Sequence, residues 1–263
     1  MNMKKTLIVK MPCTLPSEVE RFIGDARVYD SSCNSQAKVY FIDKEDGYYL
    51  KVSPCHTLAQ ERVMTEYFLS KGIGAEVVNY ITSERDYLLT KRVVGDDCTL
   101  EKYLSDPKRL SIALGEGLRN LHELDFSDCP VKNKMEEYFS TCEKNYFNGN
   151  YDKSHFPDSY GYQNEREAFA VFQYGKKELN GKVLLHGDYC LPNVILDDWR
   201  LSGFIDVGNG GVGDRHIDLF WGIWSLGYNI KSDKYREIFL DAYGRDKVNE
   251  DLLKVVASIE VFG

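Results

Sequence analysis

The sequence predicts an α+β chain in two parts: a strand-rich N-terminal part ending near Lys91 and a larger, mainly helical part after it. Up to Lys91, apolar residues recur in short runs with a period near two, as at 48–52 and 87–91. From Leu100 the period lengthens toward four, and Leu110, Leu114, Leu118 and Leu121 keep one face of a helix. A third observation separates the second part from a plain bundle. Residues 183–205 return to brief apolar runs, each stopping at a polar residue. With 263 residues, 43% of them hydrophobic, the chain can bury a sizeable core. The parts divide at 1–91, a hinge at 92–98, and 99–263.

Residues 17–22 read as a short helix, with Ser17 as N-cap and Glu20 at the capping-box position. Residues 27–29 precede a polar loop at 30–36, followed by a strand at 37–42. This loop has no glycine, so it is not a G-x-G-x-x-G phosphate loop. Asp46-Gly47 is a turn signal, and 48–52 is the returning strand. Lys51 lies on that strand between apolar neighbours, which by itself describes many solvated lysines. The helix at 58–70 offers two acids to pair with it, Glu61 first and Glu66 as competitor. Strands at 77–81 and 87–91 lead to the break at Lys91-Arg92-Val93-Val94-Gly95. Beyond it, helices are expected up to His122-Glu123-Leu124, then at 135–147 and 165–174, and finally at 217–226, 234–243 and 252–261. Residues 148–162, rich in Gly, Asn, Asp, Ser and Tyr, read as an exposed loop.

The stretch that carries chemistry is VLLHGDYCLPNVILDDWRLSGFIDVGNGGVGDRHIDLF, residues 183–220. Asp188, Asn193 and Asp206 each sit just beyond an apolar run, where a buried strand can fix a reactive side chain. His186-x-Asp188, with Asn193 five residues on, has the H-x-D-x-x-x-x-N spacing of a phosphotransfer loop. Asp206-Val207-Gly208 has the D-x-G form of a magnesium-binding turn. Each acid taken singly is an ordinary turn former. In order, they match what phosphoryl transfer requires: an acceptor hydroxyl held in line, an acceptor for its proton, and hard oxygen ligands for Mg²⁺.

HGDYCLPN, SGFIDVG and GDRHIDL together resemble the aminoglycoside phosphotransferase family, and within it the 3'-phosphotransferases that act on kanamycin and neomycin. The resemblance spans nearly the whole chain. It implies a two-lobed protein-kinase-like fold, with a small β-rich N-terminal lobe and a larger helical C-terminal lobe. It implies Asp188 as catalytic base, Asn193 and Asp206 as Mg²⁺ ligands, and Asp218 as a brace for the catalytic loop. For the nucleotide it implies Lys51 gripping phosphates and held by Glu61, with Ser35 touching phosphate. Tyr49 would stack on adenine, and the main chain of Lys91 and Val93 would bind it. Asp158 and Glu260 fall where substrate-binding acids belong. The cofactors implied are ATP and Mg²⁺, with ATP against GTP left open. Several positions depart from the family pattern: Asn209, where an arginine is common, and Tyr228 and Ile259, where some relatives carry acids. Leu191 also stands where some relatives carry an acid, and Gly263 follows the usually terminal Phe262.

The formal net charge of -8 argues against a nucleic-acid binder and suits a cationic small substrate. The uncharged apolar run at 219–230 is too short to span a bilayer, and Lys10 interrupts the apolar start of the N-terminus. The 7 cysteines form no C-x-x-C pair and have no histidine at zinc-ligand spacing, which reads as reduced thiols. A cytoplasmic enzyme, monomeric or weakly dimeric, is expected. It would take a small molecule and neither nucleic acid nor a membrane as partner. The alternatives are a related kinase for another amino-alcohol, sugar or antibiotic, and a non-catalytic nucleotide-binding protein. Intact Lys51, Asp188, Asn193 and Asp206 speak against the last.

Overall fold

Alternating apolar residues near the N-terminus build a six-stranded antiparallel sheet in the computed structural model, which describes residues 5–32, 37–151 and 162–263. Its strands are β1 (Thr6–Ile8), β2 (Arg27–Asp30), β3 (Lys38–Asp43), β4 (Tyr48–Pro54), β5 (Val77–Thr82) and β6 (Arg85–Lys91). Their order is β1-β2-β3-β4-β6-β5. One face packs Tyr40, Ile42, Leu50, Val52 and Leu89 against Leu15 and against Val19 of helix α1 (Ser17–Ile23). Helix α2 (Ala59–Ser70) follows β4 and buries Met64 and Phe68. A three-stranded sheet joins β7 (Asp96–Asp97) to β9 (Val194–Asp197), which pairs in turn with β10 (Arg200–Phe204).

Two details differ from the sequence reading. Ser17 is the first helical residue and not the N-cap: Pro16 holds that place, and the Ser17 hydroxyl donates to Glu18 Oε2 at 3.1 Å. Residues 6–8, too short for a local signal, become a strand because β2 offers a free edge in register Thr6↔Asp30.

The described residues fall into two compact units, one drawn from Met1–Leu100 with Val194–Gly208, the other from Glu101–Asn193 with Asn209–Gly263. The second unit is helical: α3 (Glu101–Leu104), α4 (Pro107–His122), α5 (Lys134–Asn148), α6 (Glu165–Gly175), α7 (His216–Ile230), α8 (Arg236–Tyr243) and α9 (Glu250–Glu260). Helix α4 begins as its sequence dictates, with Pro107 in the first turn and the Asp106 side chain accepting from the Arg109 amide at 3.1 Å. Its leucines Leu110, Leu114, Leu118 and Leu121 are all buried, as the spacing predicts. The sole sheet of this unit among the described residues pairs β8 (Val183–Leu185) with β11 (Gly211–Gly213). Among the described residues no helix is long and apolar enough to cross a membrane.

Candidate active site

In the first unit, β4 presents Lys51 between buried Leu50 and Val52. Its ammonium donates to Glu61 Oε1 and Oε2 at 2.9 and 2.8 Å, and to Asp206 Oδ1 at 2.8 Å. Glu61, and not Glu66, is therefore the helix acid that meets Lys51; Glu66 pairs with Arg62 at 2.7 Å. Burial alone would lower the Lys51 pKa, but Asp206 and Glu61 outweigh it and hold the ammonium above its ordinary range. Burial raises the Glu61 carboxyl, against the pull of Lys51, and the neighbouring Asp206 adds to the rise. One ammonium thus serves two carboxyl groups.

Asp206 sits at φ +57°, a left-handed conformation that aspartate and asparagine tolerate better than other residues with a side chain. The turn after it is fastened to α2, because the Gln60 side-chain amide donates to the Gly208 carbonyl at 2.8 Å. The approach is close: a Cβ on Gly208 would lie 3.1 Å from Glu61 Cβ. Gln60 had no sequence signal, since its partner is reached only through the fold.

The same unit holds a cavity of about 290 Å³ lined by Tyr49, Val93, Lys5, Arg92, Ile195 and Ile205, among others. Lys5 stands 3.3 Å from the centroid of the Phe41 ring and 5.6 Å from that of Tyr49. Burial, helped by Arg92, lowers its pKa. Lys91 ends β6 with its N–H donated to the Glu76 carbonyl at 2.8 Å, so that amide is already engaged within the sheet.

The second unit holds the loop after β8. His186 and Gly187 donate their amides to Asp218 Oδ2 and Oδ1, each at 2.8 Å. His122 Nε2 adds a third contact to Oδ2 at 3.1 Å, while its Nδ1 meets the Tyr243 hydroxyl at 2.8 Å. Burial lowers the His122 pKa despite Asp218, which favours the neutral ring. Neutral His122 with its proton on Nε2 satisfies both partners at once. Gly187 is required here: its φ is +83°, and a Cβ would lie 2.0 Å from the Asn209 carbonyl oxygen.

The loop so fixed directs Asp188 and Asn193 at each other. The Asn193 amide donates to the Asp188 carboxylate at 2.9 Å and to its carbonyl at 3.0 Å, leaving the Asn193 carbonyl oxygen open to a cation. Cys190 is inert, because burial and the adjacent Asp188 carboxylate push its thiol far up. Asp218→Asn should destabilise the fold by about 2–4 kcal/mol, because its NH₂ would face an amide donor inside a buried network. Urea unfolding measures this loss.

Glu260, at the end of α9, accepts from the Tyr138 hydroxyl at 2.5 Å and from Trp221 Nε1 at 3.1 Å, both on Oε1. Burial, with a smaller push from Asp188, raises its carboxyl to about 7. Tyr138 and Trp221 come from α5 and α7, so sequence spacing could not reveal them. Ser35 and Asp158 lie outside the described residues.

A charged strand lysine clamped by a helix glutamate, and an aspartate-asparagine loop braced from beneath, are the parts that phosphoryl transfer uses. The class follows: the chain belongs to the phosphotransferase enzyme family, whose pattern matches residues 30–253, and it is a transferase of the kinase type. It is 47% identical over 251 residues to a probable aminoglycoside 3'-phosphotransferase of Lactococcus lactis subsp. lactis, covering 94% of this chain and 95% of that one. The crystal structure of an aminoglycoside-3'-phosphotransferase of type VIII superposes with a TM-score of 0.74 at 23% identity, covering 89% of this chain and 91% of the other. Aminoglycoside phosphotransferase APH(3'')-Id of Streptomyces rimosus, solved with ADP and streptomycin, gives 0.69 at 22% identity, over 93% and 96% of the two chains. These likenesses bear out the kinase-like α+β fold that the sequence predicts.

Proposed function

We propose that this protein transfers the γ-phosphoryl group of Mg-ATP to the 3'-hydroxyl of an aminoglycoside, acting in the cytoplasm. The observation that carries the substrate is the likeness, along 94% of the chain, to a probable aminoglycoside 3'-phosphotransferase. The chemistry rests on the two sets of side chains described above.

The donor set fits magnesium. The Asp206 carboxylate of the first unit and the Asn193 side-chain carbonyl of the second are each hard oxygen ligands of the kind magnesium prefers. Bound there, the ion would neutralise phosphate charge. Lys51 holds the nucleotide phosphates and keeps its proton throughout, because Glu61 and Asp206 stabilise the ammonium. Tyr49 and Val93 line the cavity suited to the base. Asp188 accepts the proton of the acceptor hydroxyl as its oxygen bonds to the γ-phosphorus and the bond from that phosphorus to the departing ADP breaks, and the Asn193 amide keeps the Asp188 carboxylate oriented.

Glu260 binds an ammonium group of the acceptor, its carboxylate being steered by Tyr138 and Trp221. The departures from the family pattern leave the phosphotransfer groups intact and bear on which drug is taken. Ile259 is fully buried and so cannot meet a ligand, while Tyr228 stacks on Trp224 with centroids 5.2 Å apart. Because the Glu260 carboxyl titrates near 7, it is largely neutral below that pH and charged above it. The KM for a cationic acceptor should therefore fall as pH rises through 7, and Glu260→Gln should flatten that dependence. A pH series of acceptor KM at saturating nucleotide checks this.

The function itself is tested by coupled turnover against kanamycin, neomycin, choline, homoserine and a macrolide. Turnover confined to the aminoglycosides is the expected result. Turnover confined to another compound would keep the phosphotransfer and refute the substrate.

A further inference from the structure

Away from the phosphotransfer groups, the first unit gathers three side chains of metal-binding type. Cys55 and His56 lie in the turn joining β4 to α2, and Asp86 is the second residue of β6. Their ligand atoms, Sγ, an imidazole nitrogen and a carboxylate oxygen, all lie within 4.8 Å of one another. Cys55 is half-buried, His56 exposed and Asp86 fully buried.

Asp86 provides the second, independent observation. Its Oδ2 accepts from the Leu58 amide at 2.8 Å and the Tyr80 hydroxyl at 3.0 Å. Its Oδ1 is the one buried side-chain nitrogen or oxygen among the described residues without a partner at hydrogen-bonding geometry. The Leu58 and His56 amides and the Thr82 and Tyr80 hydroxyls stand around the carboxyl. No cationic side chain among the described residues forms an ion pair with it. A buried carboxyl group with one oxygen unsatisfied is costly unless a donor or positive charge reaches it. Capping of the α2 start explains Oδ2 and leaves Oδ1 unexplained. His56 is also held at φ +65°, a left-handed conformation of the kind that persists where the surroundings impose it.

We propose that Cys55, His56 and Asp86 bind one zinc-class divalent cation, with solvent at the exposed His56 side completing a tetrahedral set. A sulfur, a nitrogen and a single carboxylate suit zinc and not magnesium, which prefers oxygen alone. On binding, the Cys55 thiol releases its proton to solvent and gives up its hydrogen bond to the Ser83 carbonyl at 3.3 Å. The metal would tie the turn before α2 to β6. The third ligand comes from another strand, so cysteine and histidine spacing alone could not disclose the site.

The test uses the full chain without affinity tags, stripped with chelator and kept in excess Mg²⁺. Zinc affinity is read by competition with a chromophoric chelator, and Co²⁺ substitution reports a sulfur ligand by its thiolate-to-metal absorption band. One zinc per chain is expected, weakened by about tenfold or more in Cys55→Ala and in His56→Ala, with the cobalt band lost in Cys55→Ala. Asp86→Asn also removes a structural acceptor, so the first two variants carry the test, and unchanged melting without metal shows that they fold. No stoichiometric zinc in the parent chain, or equal affinity in both variants, overturns the proposal.

Discussion

Asp188→Ala should lower kcat by about 10²–10⁴-fold, the range for loss of a positioned general base, while the KM for Mg-ATP stays nearly unchanged. The expectation follows from where Asp188 sits. It lies on the loop after β8, its carboxylate takes one hydrogen bond from Asn193, and the loop amides behind it are satisfied by Asp218. None of the groups proposed to grip the nucleotide phosphates leans on its side chain: Lys51 is held by Glu61 and Asp206. Removing the carboxylate therefore removes the proposed proton acceptor and should spare the nucleotide. The fold should tolerate it, since Asn193 keeps its second bond to the Asp188 main-chain carbonyl at 3.0 Å. Turnover near that of the parent enzyme would transfer the role of base to another group.

Asp206→Asn should act on the other side of the reaction, raising the Kd for Mg-ATP by about 10–100-fold and lowering kcat as well. Asparagine is the informative replacement because it tolerates the left-handed backbone, φ +57°, that alanine would occupy at a cost. It removes the charge and keeps the shape. Lys51 would retain both contacts to Glu61, at 2.9 and 2.8 Å, so the lysine clamp survives and the loss is assignable to the metal ligand. Nucleotide affinity measured without Mg²⁺ should change little, or improve, because one carboxylate fewer then faces the phosphates. Equal affinity of the two proteins for Mg-ATP would remove Asp206 from the metal site.

How far the sequence reaches is clearest at particular residues. The Asp188–Asn193 loop is legible because it lies between two apolar runs, β8 before Asp188 and β9 directly after Asn193, and buried strands announce themselves as uninterrupted apolar runs. Lys51 is legible only with its context, and the choice of Glu61 over Glu66 follows from helical phase once α2 starts at Ala59. Contacts made across sequence are hidden. Nothing local in 92–98 discloses that Asp96 and Asp97 pair with Leu196 and Ile195, or that Lys5 lines the cavity beside Tyr49. The donors to Glu260 arrive on two other helices, and His122, which reads as an ordinary helix end, is half of a buried link between Tyr243 and Asp218. Periodicity reports which face of an element is buried and says nothing of which polar groups meet behind it.

The central claim is that the acceptor group is one particular hydroxyl. The most direct measurement compares turnover of kanamycin with that of a 3'-deoxy aminoglycoside such as tobramycin, at saturating Mg-ATP with the same purified protein. Turnover of kanamycin with none on the 3'-deoxy compound is the predicted result. Equal turnover of both would contradict the account, since a molecule without the 3'-hydroxyl would still be accepting phosphate.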